Sequence, residues 1–269
     1  MVELTLLRKN SGLPVAGADS RPVISAKGLS FAYPGGLRAI GDLSFDIAPG
    51  QIVSIVGPSG CGKSTLLRLI SSLRQPSGGK IERNFVGRDR HSCSMVFQED
   101  TLLPWLTVAD NVGLFYRFRG RVRKEDRDHI ADLLKMVNLE KFAGYFPYQL
   151  SGGMRRRAAM LTAIAPQPEL LLLDEPFSAL DEPTRISVHR DLYMLLRRLK
   201  ISAVLVTHDL AEAISLSDRI LVLSRPPAHV VEEIPVRFGI ERNMLDLRDS
   251  PEFLRLYGHL WQALKEQLI

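Results

Sequence analysis

Nine consecutive residues, Gly57–Thr65, have the types and spacing of a phosphate-binding loop. They fit G-x-x-x-x-G-K-[ST], with Gly57, Gly62, Lys63 and Ser64 at the fixed positions. Glycines let the backbone wrap closely around phosphates, while successive N–H groups and the start of the following helix attract an anion. Lys63 adds a full positive charge near the β- and γ-phosphates of a nucleotide, and the Ser64 hydroxyl is a ligand for Mg²⁺. The segment, called the phosphate loop below, therefore predicts a nucleoside triphosphate site.

The segments on either side of the phosphate loop are those that such a site needs. Gln51–Val56 is rich in β-branched residues and predicts a buried strand, whereas Thr65–Ile70 opens a helix with apolar residues at helical spacing. A strand, a glycine-rich turn and a helix in this order are the context that supports the motif. A glycine-rich turn holding a lysine by chance is the alternative, and it does not explain these neighbours.

Two acidic residues follow a run of four leucines later in the chain. Leu170–Leu173 predicts a strand buried on both faces, and Asp174 and Glu175 come directly after it. The carboxyl end of such a strand is where ligands bind in open α/β sheets. Asp174 suits Mg²⁺, directly or through water, and Glu175 suits a role in orienting or deprotonating a water molecule. An acidic exit from strand to loop is the alternative interpretation.

Two further segments carry groups that suit an anion. Ser151–Gly153 precedes a predicted helix, so a hydroxyl, exposed N–H groups and the helix dipole come together there. This signal is weak by itself, because serine is also a common helix N-cap. His208 follows the predicted buried strand Ser202–Thr207. A lone histidine is usually structural, but at the end of a core strand it is a candidate contact for a γ-phosphate.

Two more candidates end predicted strands. Tyr33 closes the strand-like segment Val23–Tyr33 upstream of the phosphate loop. An aromatic ring there suits stacking on a nucleobase, and a core or edge-strand tyrosine is an equally good interpretation. Gln98 follows a short apolar strand, and an apolar loop interrupted by proline, Leu102–Trp105, comes soon after it. A tryptophan exposed among leucines is unusual unless something covers it, which predicts a partner surface.

The composition allows a large folded chain and shows no membrane span. The 269 residues are 45% hydrophobic, and the formal net charge of +5 permits an acidic ligand or a membrane surface without requiring nucleic acid. No apolar run approaches the ~18–20 residues that cross a bilayer, and residues 1–20 do not resemble a signal peptide. We therefore expect a soluble protein. Cys61 lies in the phosphate loop, so a structural disulfide with Cys93 is not expected.

The remaining pattern divides the chain into a core and an insertion. Strand and helix patterns alternate over about residues 22–98 and 166–225, the predicted core, with Arg219–Leu223 as the last strand of its main sheet. Helical patterns at Thr107–Tyr116 and Glu125–Val137 predict an inserted subdomain over about residues 99–165.

The two ends of the chain lie outside this pattern. Residues 1–21 have no sustained period and predict a flexible N-terminal extension. Residues 250–268 predict a tail helix that Ser250 caps and Pro251 starts. Its predicted apolar face, packed on the chain's own core, consists of Phe253, Tyr257, Leu260 and Leu264.

Taken together, these motifs resemble those of the ATP-binding cassette ATPases, the nucleotide-binding subunits of ABC transporters. The resemblance covers about residues 23–223, with the motifs in the family's order: Tyr33, the phosphate loop, Gln98, the signature Leu150–Met154, Leu170–Glu175, Ser178–Asp181 and His208. The signature is the most specific, because other phosphate-loop ATPases lack it. The resemblance implies an α/β fold of the phosphate-loop NTPase (RecA-like) class. It has a mixed-sheet core, an inserted α-helical subdomain and a small antiparallel β region.

The resemblance also implies catalytic and metal-binding roles. Glu175 would be the catalytic base, His208 would bind the γ-phosphate, and Lys63 would hold the β- and γ-phosphates. The residues that would serve Mg²⁺ and its waters are Ser64, Gln98 and Asp174.

A larger set would contact ATP, with Tyr33 stacked on adenine. Its members are Tyr33, Gly57, Pro58, Ser59, Gly60, Cys61, Gly62, Lys63, Ser64, Thr65, Gln98, Ser151, Gly152, Gly153 and Asp181. Within this set, Ser151 and Gly153 would cap the γ-phosphate of the ATP held by the opposite subunit, in a head-to-tail homodimer that forms at least when ATP is bound.

Two residues depart from the commonest family pattern. Met154 stands where the signature usually has Gln, and Thr162 stands where that helix usually has Arg. The segments Phe97–Trp105 and Ser250–Phe253 look like those of the nitrate, sulfonate and taurine importers, and related branches carry other small solutes. The family implies integral membrane permease subunits and a periplasmic or lipoprotein solute-binding protein as partners. It also implies a peripheral location on the cytoplasmic face of the inner membrane.

Two other functional classes remain to be weighed. Soluble cassette ATPases that act on DNA or ribosomes usually carry two fused cassettes or a long coiled-coil insertion, and the stretch between Gln98 and Ser151 has no room for a heptad run. We therefore expect no nucleic-acid partner. A nucleotide-binding regulator without turnover would have no need of a base such as Glu175.

Overall fold

The computed structural model describes residues 21–86 and 92–267, which form two sheets surrounded by helices. The strands are β1 (Ile24–Ala32), β2 (Arg38–Ile47), β3 (Ile52–Val56), β4 (Gly78–Arg83), β5 (Cys93–Val96), β6 (Leu170–Asp174), β7 (Ser202–Val206), β8 (Arg219–Leu223) and β9 (Val230–Pro235). The α-helices are α1 (Lys63–Ile70), α2 (Val108–Val112), α3 (Leu114–Phe118), α4 (Lys124–Met136), α5 (Gly152–Ile164), α6 (Glu182–Leu199), α7 (Leu210–Leu216) and α8 (Pro251–Lys265). Short 3₁₀ turns lie at Glu140–Phe142, Pro147–Gln149 and Asp246–Asp249. The predicted extension lies, except for Arg21, outside the described residues.

The main sheet has the strand order β5-β6-β7-β3-β8-β9 and is parallel from β5 to β8. Strand β9 is antiparallel to β8, with Ile234 opposite Ile220, so the prediction that Arg219–Leu223 is the last strand of this sheet is wrong. The sequence of β9 hides it, because Glu232 and Glu233 interrupt its apolar residues. Charged side chains of this kind suit an edge strand that faces solvent on one side.

The register of the parallel strands places three candidate segments at one edge of the sheet. Asp174 pairs with Val206 across β6 and β7, and Val206 pairs with Ile55 across β7 and β3. Parallel strands end at the same edge. The residues that follow β3, β6 and β7 are therefore neighbours, and they are the start of the phosphate loop, Glu175 and Thr207.

A second sheet of three antiparallel strands has the order β2-β1-β4. Its register sets Ile24 opposite Ile47 and Arg83. Buried side chains from β1 and β2, including Phe31, pack in one cluster with Leu66 of α1. The predicted small antiparallel region is thus confirmed, and it covers one side of the helix that follows the phosphate loop.

The inserted segment is helical, as predicted, but its first helix is broken. The single helix expected over Thr107–Tyr116 is instead α2 and α3, which meet at Gly113. A Cβ atom at Gly113 would lie 2.9 Å from Ile130 of α4, so the glycine permits close packing where it interrupts the helix. Apolar residues of the insertion share one cluster with β6 and α6. The predicted limits of the subdomain, residues 99 and 165, stay a prediction.

The tail helix α8 begins as predicted. The Ser250 hydroxyl accepts a hydrogen bond from the Phe253 N–H, and Pro251 is the first helical residue. Phe253 and Leu260 are buried in a cluster with apolar residues of β8 and α7, and Leu256 is partly buried against the same cluster. Tyr257 is 40% exposed, so its predicted place in the packed face is wrong. The buried face of the helix includes the preceding residue, Leu256, instead of Tyr257. None of the helices in the described ranges combines the length and apolar character that a bilayer span requires.

Candidate active site

The phosphate loop ends in a backbone conformation that glycine accepts readily. Gly62 has a φ of 107° and directly precedes α1. A Cβ atom at Gly57 would lie 2.9 Å from the Cys61 sulfur, so the loop also needs glycine for space. Gly62 has no side chain to cap α1, and the first N–H groups of the helix face the loop. This end of α1 therefore offers donors to an anion.

The side chain of Lys63 is folded into the phosphate loop. Its Nζ donates hydrogen bonds to the Gly57 carbonyl at 2.8 Å and the Pro58 carbonyl at 3.0 Å, and the residue is 8% exposed. The ammonium group thus lies at the opening of the loop, held by carbonyls that a phosphate oxygen can replace as its partner.

The two predicted magnesium ligands with the most suitable chemistry are in contact. The Ser64 hydroxyl donates a hydrogen bond of 3.0 Å to Oδ1 of Asp174. Burial raises the pKa of the Asp174 carboxyl, and the hydrogen bond from Ser64 offsets part of this. A hydroxyl and a carboxylate side by side are the hard oxygen ligands that Mg²⁺ takes beside a phosphate, so these residues fit the ion.

Gln98 occupies a different place in the site. Its side-chain amide donates to the Ser178 hydroxyl at 3.4 Å, and that hydroxyl donates to the Glu175 carbonyl. The structure therefore brings Gln98 to the segment after the acidic strand, next to Glu175, rather than into the Ser64–Asp174 contact.

The candidate base and the candidate γ-phosphate contact are neighbours. Oε2 of Glu175 lies 3.2 Å from Nδ1 of His208, and the imidazole is more than half exposed. Glu175 has a φ of +45°, which is unusual for a residue with a side chain, and its N–H donates to the Val206 carbonyl at 2.9 Å. Such conformations persist where the surroundings hold them and concentrate at functional sites. The arrangement places a carboxylate acceptor at the sheet edge, facing the phosphate loop's strand.

Tyr33 lies beside the phosphate loop. Its hydroxyl hydrogen-bonds the Thr65 hydroxyl at 2.6 Å, and its partly buried ring packs edge-on against Phe31. The guanidinium of Arg74 lies 5.1 Å from the centre of the Tyr33 ring. The ring is thus fixed next to the first turn of α1, and its stacking on adenine stays a prediction.

Ser151 and Asp181 both act as helix N-caps. The Ser151 hydroxyl accepts from the Met154 N–H at 3.3 Å, and the Asp181 carboxylate accepts from the Thr184 N–H at 3.3 Å. The two capped helices are in close contact, because a Cβ atom at Gly153 would lie 2.4 Å from Cγ2 of Thr184. Gly153 is therefore required for packing in this chain, independently of any contact with phosphate. Ser151 itself is exposed at the surface.

Sequence reasoning missed Arg156, which joins the signature helix to Gln98. Arg156 is 4% exposed, and its guanidinium donates to the Phe97 carbonyl at 2.7 Å and the Gln98 carbonyl at 3.2 Å. It also forms an ion pair of 3.3 Å with Asp100. The signal available in the sequence was an arginine at a core-facing position of α5. Thr162, the departure noted above, bonds the Ala159 carbonyl within its own helix.

The Trp105 loop is exposed at its tip and anchored at its base. Trp105 is 70% exposed, whereas Leu102 is buried. The buried side chain of Asn111 accepts from the Leu103 N–H and donates to the carbonyls of Leu103, Leu106 and Thr107. The loop thus has a fixed shape that presents an indole ring to the surroundings.

Comparison with known proteins identifies the family. The model for the ABC transporter family matches residues 40–178. The nitrate import ATP-binding protein of Synechococcus elongatus is 40% identical over 244 residues, which are 88% of this chain and 37% of that longer protein. The taurine import ATP-binding protein of Pseudomonas aeruginosa is 37% identical over 258 residues, 93% of this chain and 96% of that protein.

A solved structure supports the same assignment. The dimeric post-hydrolysis state of an ATP-binding cassette bound to ADP and Pi is 34% identical and superposes with a TM-score of 0.66. The match covers 80% of this chain and 99% of that one. The chain belongs to the ABC transporter family, among its ATP-binding proteins that bind Mg²⁺ with ATP and hydrolyse it.

Proposed function

We propose that this chain is the ATP-hydrolysing subunit of an importer, acting as a homodimer and coupling its cycle to a membrane permease. The observation that carries the proposal is the shared sheet edge. There, Lys63, the Ser64–Asp174 contact and the Glu175–His208 contact come from three separate segments of the chain. The names of the relatives favour a small anion such as nitrate, a sulfonate or taurine as the solute.

In the proposed mechanism the phosphate loop holds the triphosphate. Phosphate oxygens replace the Gly57 and Pro58 carbonyls as partners of the Lys63 ammonium. The Ser64 hydroxyl and the Asp174 carboxylate would hold Mg²⁺, which would supply positive charge beside the phosphates. Tyr33 would stack on the base, and Gln98, which lies beside Ser178, would reach the ion only through water.

Glu175 is the proposed general base. Its carboxylate accepts a proton from the attacking water as the water's oxygen forms a bond to the γ-phosphorus and the bond to the leaving ADP oxygen breaks. His208 donates to the γ-phosphate and also lies within reach of the Glu175 carboxylate, so the two side chains hold each other in place. Glu175 is less exposed than His208, which suits a base that must act on one positioned water.

The proposed dimer closes the site with a second chain. Ser151 is exposed and precedes a helix whose first N–H groups suit an anion, as does the phosphate loop. One ATP between the phosphate loop of one subunit and the signature of the other uses both. Support comes from the related cassette that was solved as a dimer with ADP and Pi. Asp181, on the neighbouring helix start, lies at the same proposed interface.

The proposed permease contact is the Trp105 loop, and the system would include a periplasmic or lipoprotein solute-binding protein. A large exposed indole on an anchored loop suits a protein surface that covers it. This loop follows Gln98, and Arg156 links that residue to the signature helix, so nucleotide and permease contacts are close in the chain. The proposed location is the cytoplasmic face of the inner membrane.

An uptake assay tests the proposed function. In cells lacking the chromosomal copy, the wild-type chain should restore uptake of labelled nitrate or taurine, and a chain with Glu175→Gln should not. The exposed surface variant Lys80→Ala is the control, because the ion pair that its side chain forms among the described residues is with neighbouring Glu82 in the antiparallel sheet. Copurification of the wild-type chain with nucleic acid or ribosomes, and not with a membrane protein, would contradict the proposal.

A further inference from the structure

Two buried ionisable side chains lie beneath the segment that carries His208, and the mechanism above uses neither. His189 of α6 is 1% exposed and Glu212 of α7 is 4% exposed. Oε2 of Glu212 lies 3.9 Å from Nε2 of His189, too far for a hydrogen bond. Among the described residues, neither Nε2 of His189 nor Oε1 of Glu212 has a hydrogen-bond partner. Buried polar atoms without partners are costly, so a functional reason is expected.

Burial disfavours the charged form of both side chains. Burial raises the pKa of Glu212 well above its usual range, and the charge of Asp209 adds to this, while hydrogen bonding from Thr207 and the charge of Arg185 oppose it. Burial also lowers the pKa of His189 to about 3. The buried site therefore favours the protonated form of Glu212, whose carboxyl group faces the imidazole of His189 at 3.9 Å.

Glu212 belongs to a network of hydrogen bonds that involves the residues on both sides of His208. The Glu212 N–H donates to Oδ1 of Asp209 at 3.1 Å, and the Asp209 N–H donates to the Thr207 hydroxyl at 3.0 Å. Arg185 holds the other carboxylate oxygen of Asp209 at 3.0 Å and also donates to the Leu180 carbonyl. His208 stands between Thr207 and Asp209, so these contacts fix the backbone on both sides of it.

A small cavity joins this set to the candidate base. Its volume is about 40 Å³, and its lining includes Glu175, Thr207, His208 and Glu212. An ionised Glu212 would place a second negative charge beside the same cavity as Glu175 and would compete for the proton of His208. The Glu212 carboxyl itself is tied to the segment by a side-chain hydrogen bond with Thr207.

We propose that Glu212 is a positioning residue whose buried carboxyl group holds the Thr207–Asp209 segment so that His208 stays beside Glu175. The proposal rests on the role proposed above for His208. It predicts that removing the carboxyl group slows turnover with little change in ATP affinity, because the phosphate loop is untouched. It also predicts that an amide of the same shape replaces the acid.

The test measures kcat and KM for ATP in the purified full-length chain. Glu212→Leu should lower kcat by about tenfold or more and change KM by less than about threefold, whereas Glu212→Gln should stay within about threefold of wild type. Thr207→Val removes one hydroxyl at nearly constant volume and should lower kcat in the same direction. It keeps the proposal testable if Glu212→Leu does not fold.

A double-mutant comparison separates positioning from a general structural effect. In the His208→Ala background, Glu212→Leu should cost less than about twofold further, because the group it positions is gone. Equal losses in both backgrounds would overturn the proposal, as would Glu212→Gln behaving like Glu212→Leu, or folded Glu212→Leu and Thr207→Val with wild-type kcat. If His208→Ala hydrolyses ATP like wild type while Glu212→Leu does not, the role of His208 is wrong and the proposal falls with it. A wild-type chain without ATP-driven uptake would contradict only the proposed function.

Discussion

Nδ1 of His208 lies 3.2 Å from Oε2 of Glu175, although the two residues follow different strands and are 33 positions apart in the chain (208 − 175). Strands β6 and β7 are parallel, and Asp174 of β6 pairs with Val206 of β7. Glu175 directly follows β6, and His208 lies two residues after the end of β7, so the register brings both side chains to the same edge of the sheet. The contact defines the catalytic end of the candidate site and leads to the first prediction.

Glu175→Gln should keep ATP binding and stop turnover, because an amide cannot accept the proton of the attacking water. General-base catalysis contributes roughly 10²–10⁴-fold, so kcat should fall within that range. ATP affinity measured by calorimetry should stay close to wild type, and light scattering should show a dimer that persists with ATP. Loss of nucleotide binding would instead mean that Glu175 is a ligand or a structural residue.

Lys63→Ala should weaken ATP binding and abolish hydrolysis. The change removes the full positive charge that now bonds the Gly57 and Pro58 carbonyls, and charge-assisted hydrogen bonds contribute on the order of 1.5–3 kcal/mol. Calorimetric titration with ATP and a phosphate-release assay measure the two effects, with Lys80→Ala as the matched control. Turnover near the wild-type rate would rule out the proposed use of the phosphate loop.

Trp105→Ala should uncouple transport and leave nucleotide binding by the isolated chain unchanged. The indole is 70% exposed and Asn111 fixes the loop, so the substitution alters a surface rather than the core. Uptake and ATP affinity are measured in parallel. Trp261→Ala is the control, because that indole is 51% exposed on α8, away from the insertion. Normal uptake with Trp105→Ala would exclude this loop from the permease contact.

A mixture of two defective chains tests the shared site. Chains with Lys63→Ala and chains with Ser151→Arg should each form inactive homodimers, since every site then has one defect. In the mixed dimer one site collects both defects, and the other pairs an intact phosphate loop with an intact signature. Ser151 is exposed, so arginine fits there, and the loss of its N-cap to α5 should cost only about 1 kcal/mol of folding stability. Tagged mixed dimers should therefore regain ATP-stabilised association, and its absence, with both chains folded, would count against a site formed between subunits.

His189 should make the fold sensitive to acid. With its pKa lowered to about 3, the folded chain leaves the imidazole neutral where the unfolded chain binds a proton, at pH values below ~6.5. This contribution to stability is present above ~6.5 and is lost as pH falls toward 3, at about 1.4 kcal/mol per unit. His189→Phe keeps a ring against Phe177 and removes the titration.

The comparison between the two chains isolates this effect, because the opposite pH dependence of Glu212 is common to both. Denaturant unfolding should show that His189→Phe gains about 2 kcal/mol relative to wild type between pH 7 and pH 5. A difference in unfolding free energy that does not change with pH would mean that His189 is charged or solvated in the folded chain.

The elements that local sequence determines were predictable, and those that depend on distant packing were not. The helix start at Lys63 follows from Gly62, and that of α8 from Ser250 and Pro251, because a turn and a cap act within a few residues. The sequence placed Asp174 at the carboxyl end of a buried strand, and the family resemblance grouped it with Ser64, which it contacts in the structure. The roles of these residues in catalysis stay predictions.

Three features depended on partners that the sequence does not name. Strand β9 forms by antiparallel pairing with β8, although Glu232 and Glu233 interrupt the apolar pattern by which a strand is recognised in the sequence. Gly113 interrupts the predicted helix at a place where Ile130 of α4 packs closely against it. Tyr257 has helical spacing suited to burial, but the neighbouring elements cover the adjacent stripe. In each case tertiary packing decided an outcome that local propensity left open.

The buried guanidinium of Arg156 links the helical insertion to the main sheet through hydrogen bonds. It spans from α5 to the carbonyls of Phe97 and Gln98, so moving the helical layer as a block would strain the two residues that follow β5. Gln98 also contacts Ser178, which lies next to Glu175. A displacement of the exposed Trp105 loop and a change of ligand near Glu175 would therefore both act on the segment around Gln98. The amplitude of any movement of the helical layer relative to the sheet would then be limited by how far the hydrogen bonds of Arg156 can stretch before they break.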